Sequence, residues 1–276
     1  MNSVRKSYFS GSWYPGTAKD IHRQLNKWDE ELGDFKKNIV SGVVPHAGWF
    51  FSGMLAYDVI RRIEQDTELV IVLGGHLPES SPILYCNEKS FQTPCGNLVI
   101  DGELVNLIES ALPSEYDSRT DNTVEVQLPI IKSLLDEVRI VPLRVPAGES
   151  ALNLIDVIRN YSDKKNLKIR VIGSTDLTHY GSNYDFEPTE SLADPIKWVE
   201  IQDRKIIESM IEMKPEDILK EARSKQSACS AGAAACAASY ASKSGIKKGK
   251  LLSYDTSYSK HQSDSFVGYG AVVYEL

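Results

Sequence analysis

The 276-residue chain is poor in cysteine: Cys86, Cys95, Cys229 and Cys236 are too few to staple a protein of this size through disulfides. No apolar stretch approaches the roughly 18 residues that a membrane-spanning helix needs. The opening Met1-Asn-Ser-Val-Arg-Lys-Ser-Tyr has neither the apolar segment nor the cleavage site of a secretory signal. These absences predict a protein of the reducing cytoplasm with no membrane partner and with free thiols. Positive charge is also short, with 31 Lys and Arg against 38 Asp and Glu and a formal charge of −7. Nucleic acid and anionic lipid both require a basic face, so neither is an expected partner. Three common catalytic signatures are missing as well: the Gly-x-Ser-x-Gly elbow, the Gly-x-x-x-x-Gly-Lys phosphate loop and the Cys-x-x-Cys pair.

The remainder has an ordinary globular composition, with 42% hydrophobic and 25% charged residues, which argues against disorder and coiled coil. No repeat, linker or long charge block divides the chain, so one domain over residues 1–276 is expected. Short apolar runs alternate with helical patterns, the signature of an α/β fold with a buried, mixed central sheet flanked by helices. Strands are predicted at 38–44, 68–73, 138–145, 168–173 and 266–275, with a strand-rich excursion at 82–101. Helices are predicted at 20–32, 53–63, 102–111, 122–135, 149–161, 196–213 and 216–224. Pro129 is tolerable only near a first turn or at a kink. The small-residue run beginning at Ser227 should be helical, because alanine is the best helix former.

Chemistry collects where strands end. His46 follows Val43-Val44-Pro45, His76 follows Leu73-Gly74-Gly75, and Asp176 and His179 follow Ile172-Gly173-Ser174-Thr175. In an open α/β sheet the functional crevice lies outside the carboxyl ends of the strands. A single histidine after a strand is usually structural, but three in the same context point to a shared site. Two imidazoles and one anionic ligand form a recurrent transition-metal arrangement. The anion could be Asp176 or a thiolate. Cys229 is the better-placed thiol, because it precedes a predicted helix whose N-terminus favours negative charge. Cys236 lies two turns further on, roughly 10 Å away at about 1.5 Å per residue, and reads as packing. Cys86 and Cys95 also read as packing, His22 as solvated and His261 as exposed in a polar loop. Trp49, Phe50 and Phe51 read as core, with a pocket wall as the alternative.

The same residues carry a family resemblance. Tyr8-Phe9-Ser10-Gly11-Ser12-Trp13-Tyr14-Pro15, Pro45-His46-Ala47-Gly48-Trp49-Phe50-Phe51-Ser52-Gly53, Val124-Glu125-Val126-Gln127-Leu128-Pro129, Ser174-Thr175-Asp176-Leu177-Thr178-His179-Tyr180-Gly181 and Val267-Gly268-Tyr269-Gly270-Ala271 stand in the order of five Memo-family motifs. The chain resembles this family, also called AmmeMemoRadiSam system protein B, over nearly its whole length. The resemblance implies a fold shared with LigB-type class III extradiol dioxygenases, which use non-haem Fe(II). On it, His46 and His76 match two imidazole ligands, and Cys229 matches a third ligand that is a carboxylate in the dioxygenases. His179 matches an acid/base position, with Asp176 beside it. The family commonly reads Glu-His-Ser where this chain has Asp121-Asn122-Thr123, so a position expected to face the site carries Asn122 in place of an imidazole.

Two functions follow as expectations. The first is a metal-dependent oxidoreductase with Fe(II), or copper or zinc in its place, on His46, His76 and Cys229; His179 would move a proton and Asp176 would orient an imidazole or a water. The second is a dioxygenase-like binding module without turnover for a metal, a peptide or a small ligand, which the loss of an imidazole at Asn122 favours. The family name further implies a link to radical-SAM and AMMECR-type proteins.

Overall fold

Residues 3–188 and 193–276 are described by the computed structural model of the chain. It opens with β1 (Val4–Arg5), α1 (Ala18–Leu32) and β2 (Ile39–Val44); a π-helical turn (Trp49–Gly53) then runs into α2 (Met54–Ile60). β3 (Leu69–Gly74), β4 (Ile83–Tyr85), β5 (Ser90–Thr93) and β6 (Gly96–Ile100) follow, then α3 (Gly102–Ala111), β7 (Ser114–Tyr116), α4 (Asn122–Glu125) and α5 (Leu128–Leu134). β8 (Arg139–Arg144), α6 (Glu149–Lys165), β9 (Ile169–Ser174) and β10 (His179–Tyr180) lead to α7 (Pro195–Ile211), α8 (Pro215–Lys225) and α9 (Ala231–Lys243); β11 (Lys250–Thr256) and β12 (Phe266–Glu275) complete the fold.

The strands form one mixed sheet in the order β1-β5-β6-β8-β3-β9-β2-β12-β10, with β11 on β12 and β4 joining β8 to β7. Its centre is parallel: β8, β3, β9 and β2 run the same way. β12 closes against β2 antiparallel. β2, β3 and β9 are buried along their whole lengths, and β3 accordingly reads as an unbroken apolar run rather than an alternating one. No helix among the described residues is long and apolar enough to cross a membrane.

Two helices grip opposite faces of β2. Successive strand residues point to opposite sides, and here Ser41 Oγ donates to the Ala237 carbonyl of α9 at 2.7 Å. Gly42, the next residue, faces α2 instead: a Cβ there would stand 2.4 Å from Val59 Cγ1. α9 is the helix of small residues, buried continuously from Ala231 to Ala241. Its alanines do more than favour helix. They let its backbone come down onto β9, where a Cβ on Gly173 would lie 2.4 Å from the Ala233 carbonyl oxygen.

The structure corrects the sequence reading in a few places. The helix expected over 122–135 is two short helices, and Pro129 falls in the first turn of the second, where its missing N–H costs nothing. β11 was not foreseen, because Lys250–Thr256 is half-buried and mixes polar with apolar residues without clean alternation. The segment at Trp49–Gly53 is helical too, but in π geometry, a form that recurs near functional sites.

The close contact of α9 with β9 generates a stability prediction. Gly173→Ala should lower unfolding free energy by about 1–3 kcal/mol, the usual cost of overpacking, measured as a lower urea midpoint. An unchanged midpoint would show that α9 can withdraw from the sheet freely.

Candidate metal centre

Strand register aligns the site. Val44 of β2 pairs with Ser174 of β9, and Leu73 of β3 pairs with Gly173, so three parallel neighbours end at one level. His46, Asp176 and His76 each lie two residues beyond those ends. The fourth contributor arrives from elsewhere: Cys229 directly precedes Ser230, the N-cap of α9. Its backbone N–H donates to the Asp176 carbonyl at 3.2 Å, and the Ser230 N–H donates to Thr175 Oγ1 at 3.0 Å. The helix that packs on the sheet therefore delivers the thiol to the strand ends.

His46, His76 and Cys229 each offer one ligand atom, and these atoms all lie within 4.8 Å of one another. Cys229 Sγ is 3.1 Å from His46 Nε2. The two imidazole rings meet edge to face with centroids 5.0 Å apart. An ion with bonds of about 2.0–2.3 Å spans roughly 4.5 Å between opposite ligands, so these donors stand at a spacing one ion can bridge after small side-chain adjustment. Nitrogen and thiolate donors suit iron, copper or zinc rather than magnesium or calcium. Three protein donors in an open cleft leave a position for a further ligand.

Each ligand is held from behind. His46 is buried; its N–H donates to Asp176 Oδ1 at 2.7 Å and its Nδ1 contacts Ser174 Oγ at 3.2 Å. Gln127 donates to Ser174 Oγ at 3.1 Å and to the Pro45 carbonyl at 2.7 Å. Asn122 Nδ2 donates to the His46 carbonyl at 2.9 Å. His76 sits in the left-handed region at φ 60, which is uncommon for a residue with a Cβ. Its Nδ1 donates to Asp121 Oδ2 at 3.3 Å, directing Nε2 toward the thiol. Arg144 stabilises this turn, giving Nε to the Gly75 carbonyl at 2.9 Å and Nη2 to Asp121 Oδ2 at 3.3 Å. Gly75 is required because a Cβ there would lie 2.7 Å from Ser230 Cβ.

The charges are mutually dependent. Burial alone would raise the Cys229 thiol, but the imidazoles of His46, His76 and His179 outweigh it and hold the thiol well below its ordinary value. Burial opposes a charge on His46, and the Asp176 carboxylate and the Cys229 thiolate overcome it, so this imidazole is raised. His76 is raised to about 10 against burial by its hydrogen bonds to Asp121 and Cys229. Asp121 is lowered to about 2 against burial by His76, Thr123 and Arg144. Burial keeps Asp176 above the usual carboxylate range, and the nearby thiolate adds to it.

Of the site residues expected from the sequence, His46, His76, Asp176 and His179 line one cleft of about 630 Å³ together with Asn122, and Cys229 meets them through His46 Nε2. His179 Nδ1 donates to the Leu177 carbonyl at 3.0 Å. A carbonyl can only accept, so Nε2 is left as the basic nitrogen. Phe50 and Phe51 line the cleft, with Phe50 72% exposed, whereas Trp49 is core. The π-turn divides the aromatic run between the two expected roles. His22 is exposed. Cys236 is buried and donates to the Ala151 carbonyl at 3.1 Å, and Cys86 is buried too. His261, read as exposed loop, is exposed but stands on the cleft rim.

Other contributors carry no sequence signal beyond their motifs. Buried Glu125 accepts the N–H of Tyr8 at 2.8 Å, the N–H of Phe9 at 2.7 Å and the Tyr14 hydroxyl at 2.8 Å, which pins the N-terminal loop that carries Trp13 to the cleft. Buried Asp203 accepts the Thr178 N–H at 3.0 Å and the Tyr254 hydroxyl at 2.8 Å beneath His179; burial pushes it up to about 7, against those hydrogen bonds. Both are charged residues inside helices, where spacing gives no hint of a distant backbone partner.

Fold and centre together define an α/β protein with a candidate His–His–Cys metal site in the crevice at the carboxyl edge of its sheet. The chain belongs to the Memo family: the model of that family, described as Memo-like protein, matches residues 5–273. It is 31% identical to a MEMO1 family protein of Thermococcus onnurineus, across 98% of this chain and 99% of the relative. It is 30% identical to another from Pyrococcus furiosus, across 98% of each chain. A solved structure of an uncharacterized protein from Escherichia coli K12 shares the fold, with a TM-score of 0.55 and 10% identity across 84% of this chain and 99% of that one.

Protons compete with a metal here, because His76 in the free protein keeps its proton up to about 10. Metal affinity should therefore rise with pH between the ordinary imidazole range and that value. Calorimetry in buffers of different ionisation enthalpy should show proton release on binding; equal heats in all buffers would contradict it. Asp121→Asn should weaken metal binding by roughly ten- to a hundredfold, as loss of a ligand's orienting partner does, read by competition with a chromophoric chelator.

Proposed function

We propose that this chain is a metal-dependent redox protein that holds one iron ion, with copper or zinc as the alternatives, on His46, His76 and Cys229. The observation that carries this reading is the convergence of those three donor atoms within 4.8 Å, with His46 and His76 lining a cleft. A bare Cys–His nucleophilic pair would account for His46 but leave His76 and its Asp121–Arg144 support without a purpose. An iron ion on these donors would supply a change of oxidation state and open positions for O₂ or a small oxygen-bearing ligand.

The chain's own residues divide the remaining work. Asp176 holds the His46 backbone and so sets where that imidazole stands. His179, with Nδ1 fixed on a carbonyl, offers Nε2 to take a proton from a ligand hydroxyl. The binding-module reading draws on one observation. Asn122 lines the cleft and spends its amide on the His46 carbonyl, where an imidazole would supply a second titrating group.

Anaerobic reconstitution with Fe(II) should load about one ion per chain, and the loaded protein should consume O₂ with a catechol or a thiol. Stoichiometric loading without O₂ consumption would favour the binding module. His46→Ala should abolish loading; unchanged iron content in that variant would remove His46 from the ligand set.

A further inference from the structure

Three serine hydroxyls line the same cleft as His46 and His76. Ser257 Oγ accepts the Val267 N–H at 3.0 Å, Ser263 Oγ accepts the Ser265 N–H at 3.3 Å, and Ser265 Oγ accepts the Asn183 N–H at 3.2 Å. All three serines line the cleft. Each oxygen accepts a backbone N–H; the Ser257 hydroxyl also hydrogen-bonds Tyr269, whereas Ser263 and Ser265 keep an O–H to donate elsewhere. Phe50 and Tyr184 line the same cleft and present exposed aromatic surface at 72% and 43% exposure.

Neutral O–H donors would serve an anion or an uncharged group equally well, so the surrounding charge decides. No lysine or arginine is among the described lining residues, and residues 189–192 contain none in sequence. Lys260 lines the neighbouring groove and lies 4.0 Å from the Asp255 carboxylate. Asp176 lines the cleft floor, and Asp264 sits exposed between Ser263 and Ser265. Asp185 and Glu187 are exposed on the adjoining segment. The charge of Glu187 and Asp264 reaches the same phenol, Tyr180, which is raised by burial first and then by those two carboxylates. Beyond the ion itself, a carboxylate or phosphate on the ligand would meet repulsion with no counter-ion.

We infer that the ligand of this cleft is an organic molecule without anionic groups, with a planar apolar part against Phe50 or Tyr184 and hydroxyl or carbonyl groups on Ser263 and Ser265, and that carboxylated or phosphorylated ligands are discriminated against. This rests on the metal-centred reading of the cleft and names the ligand class for it.

Hydroxytyrosol, dihydroxyphenylacetate and dopamine share one catechol head and differ in a neutral, an anionic and a cationic tail. Their affinities for the full-length, iron-loaded protein are measured anaerobically, with iron content determined by elemental analysis in the same samples. Hydroxytyrosol and dopamine should each bind at least about fivefold more tightly than dihydroxyphenylacetate, a modest margin for a charge left without a partner. A smaller ratio, a reversed order or binding of none of the three by iron-loaded protein overturns the inference. Absence of iron in the samples would fail the metal reading instead. Ser263→Lys supplies the missing cation and should shift the ratio of anionic to neutral affinity by at least about fivefold toward dihydroxyphenylacetate; an unmoved ratio in folded variant protein likewise overturns it.

Discussion

One buried aspartate ties the candidate centre together. Asp176 uses its side chain to accept the His46 N–H at 2.7 Å and its carbonyl to accept the Cys229 N–H at 3.2 Å. The loop after β2 and the entry to α9 are separated by most of the chain, and both are docked on this residue. Its burial is costly for a carboxylate unless hydrogen bonds and neighbouring positive charge offset it. Here the imidazoles of His46 and His179 oppose the rise that burial causes. The thiolate, the imidazoles and the carboxylate therefore form one electrostatic unit, in which removing any member changes the protonation of the rest.

The second constraint is distance of approach. A thiol at the start of a helix can reach the strand ends only if the helix lies against the sheet. That requires alanines on α9 and glycine at 173, where the Ala233 carbonyl leaves no room for a Cβ. The same logic explains Gly75, pressed by Ser230. Small residues that look featureless in sequence thus set the geometry of the donors. The Val-Glu-Val-Gln segment has a comparable indirect role. Glu125 pins the N-terminal loop and Gln127 pins the turn before His46, so the two polar residues of that motif brace different walls of one cleft.

Much of this was legible beforehand. The central strands were readable because burial on both faces leaves mostly apolar runs, unbroken in β3. The candidate site was readable because three histidines recur just past strand ends, where the crevice of such a sheet lies. β11 escaped notice because it is half-buried and uneven in polarity. Asp203, Asp121 and Arg144 escaped because their partners are distant backbone atoms or charges, and no local periodicity encodes those.

Sequence by itself determined the ingredients: the α/β class, the strand ends that bear His46, His76, Asp176 and His179, and a thiol ahead of a small-residue helix. Tertiary structure alone decided that Val44, Gly74 and Ser174 end at one level, that α9 brings Cys229 to them, and that Phe50 faces the cleft while Trp49 faces the core. The division has a physical cause. Propensity and burial act on neighbouring residues and leave a local trace, whereas strand register, helix-to-sheet distance and charge coupling arise only between segments that folding brings together.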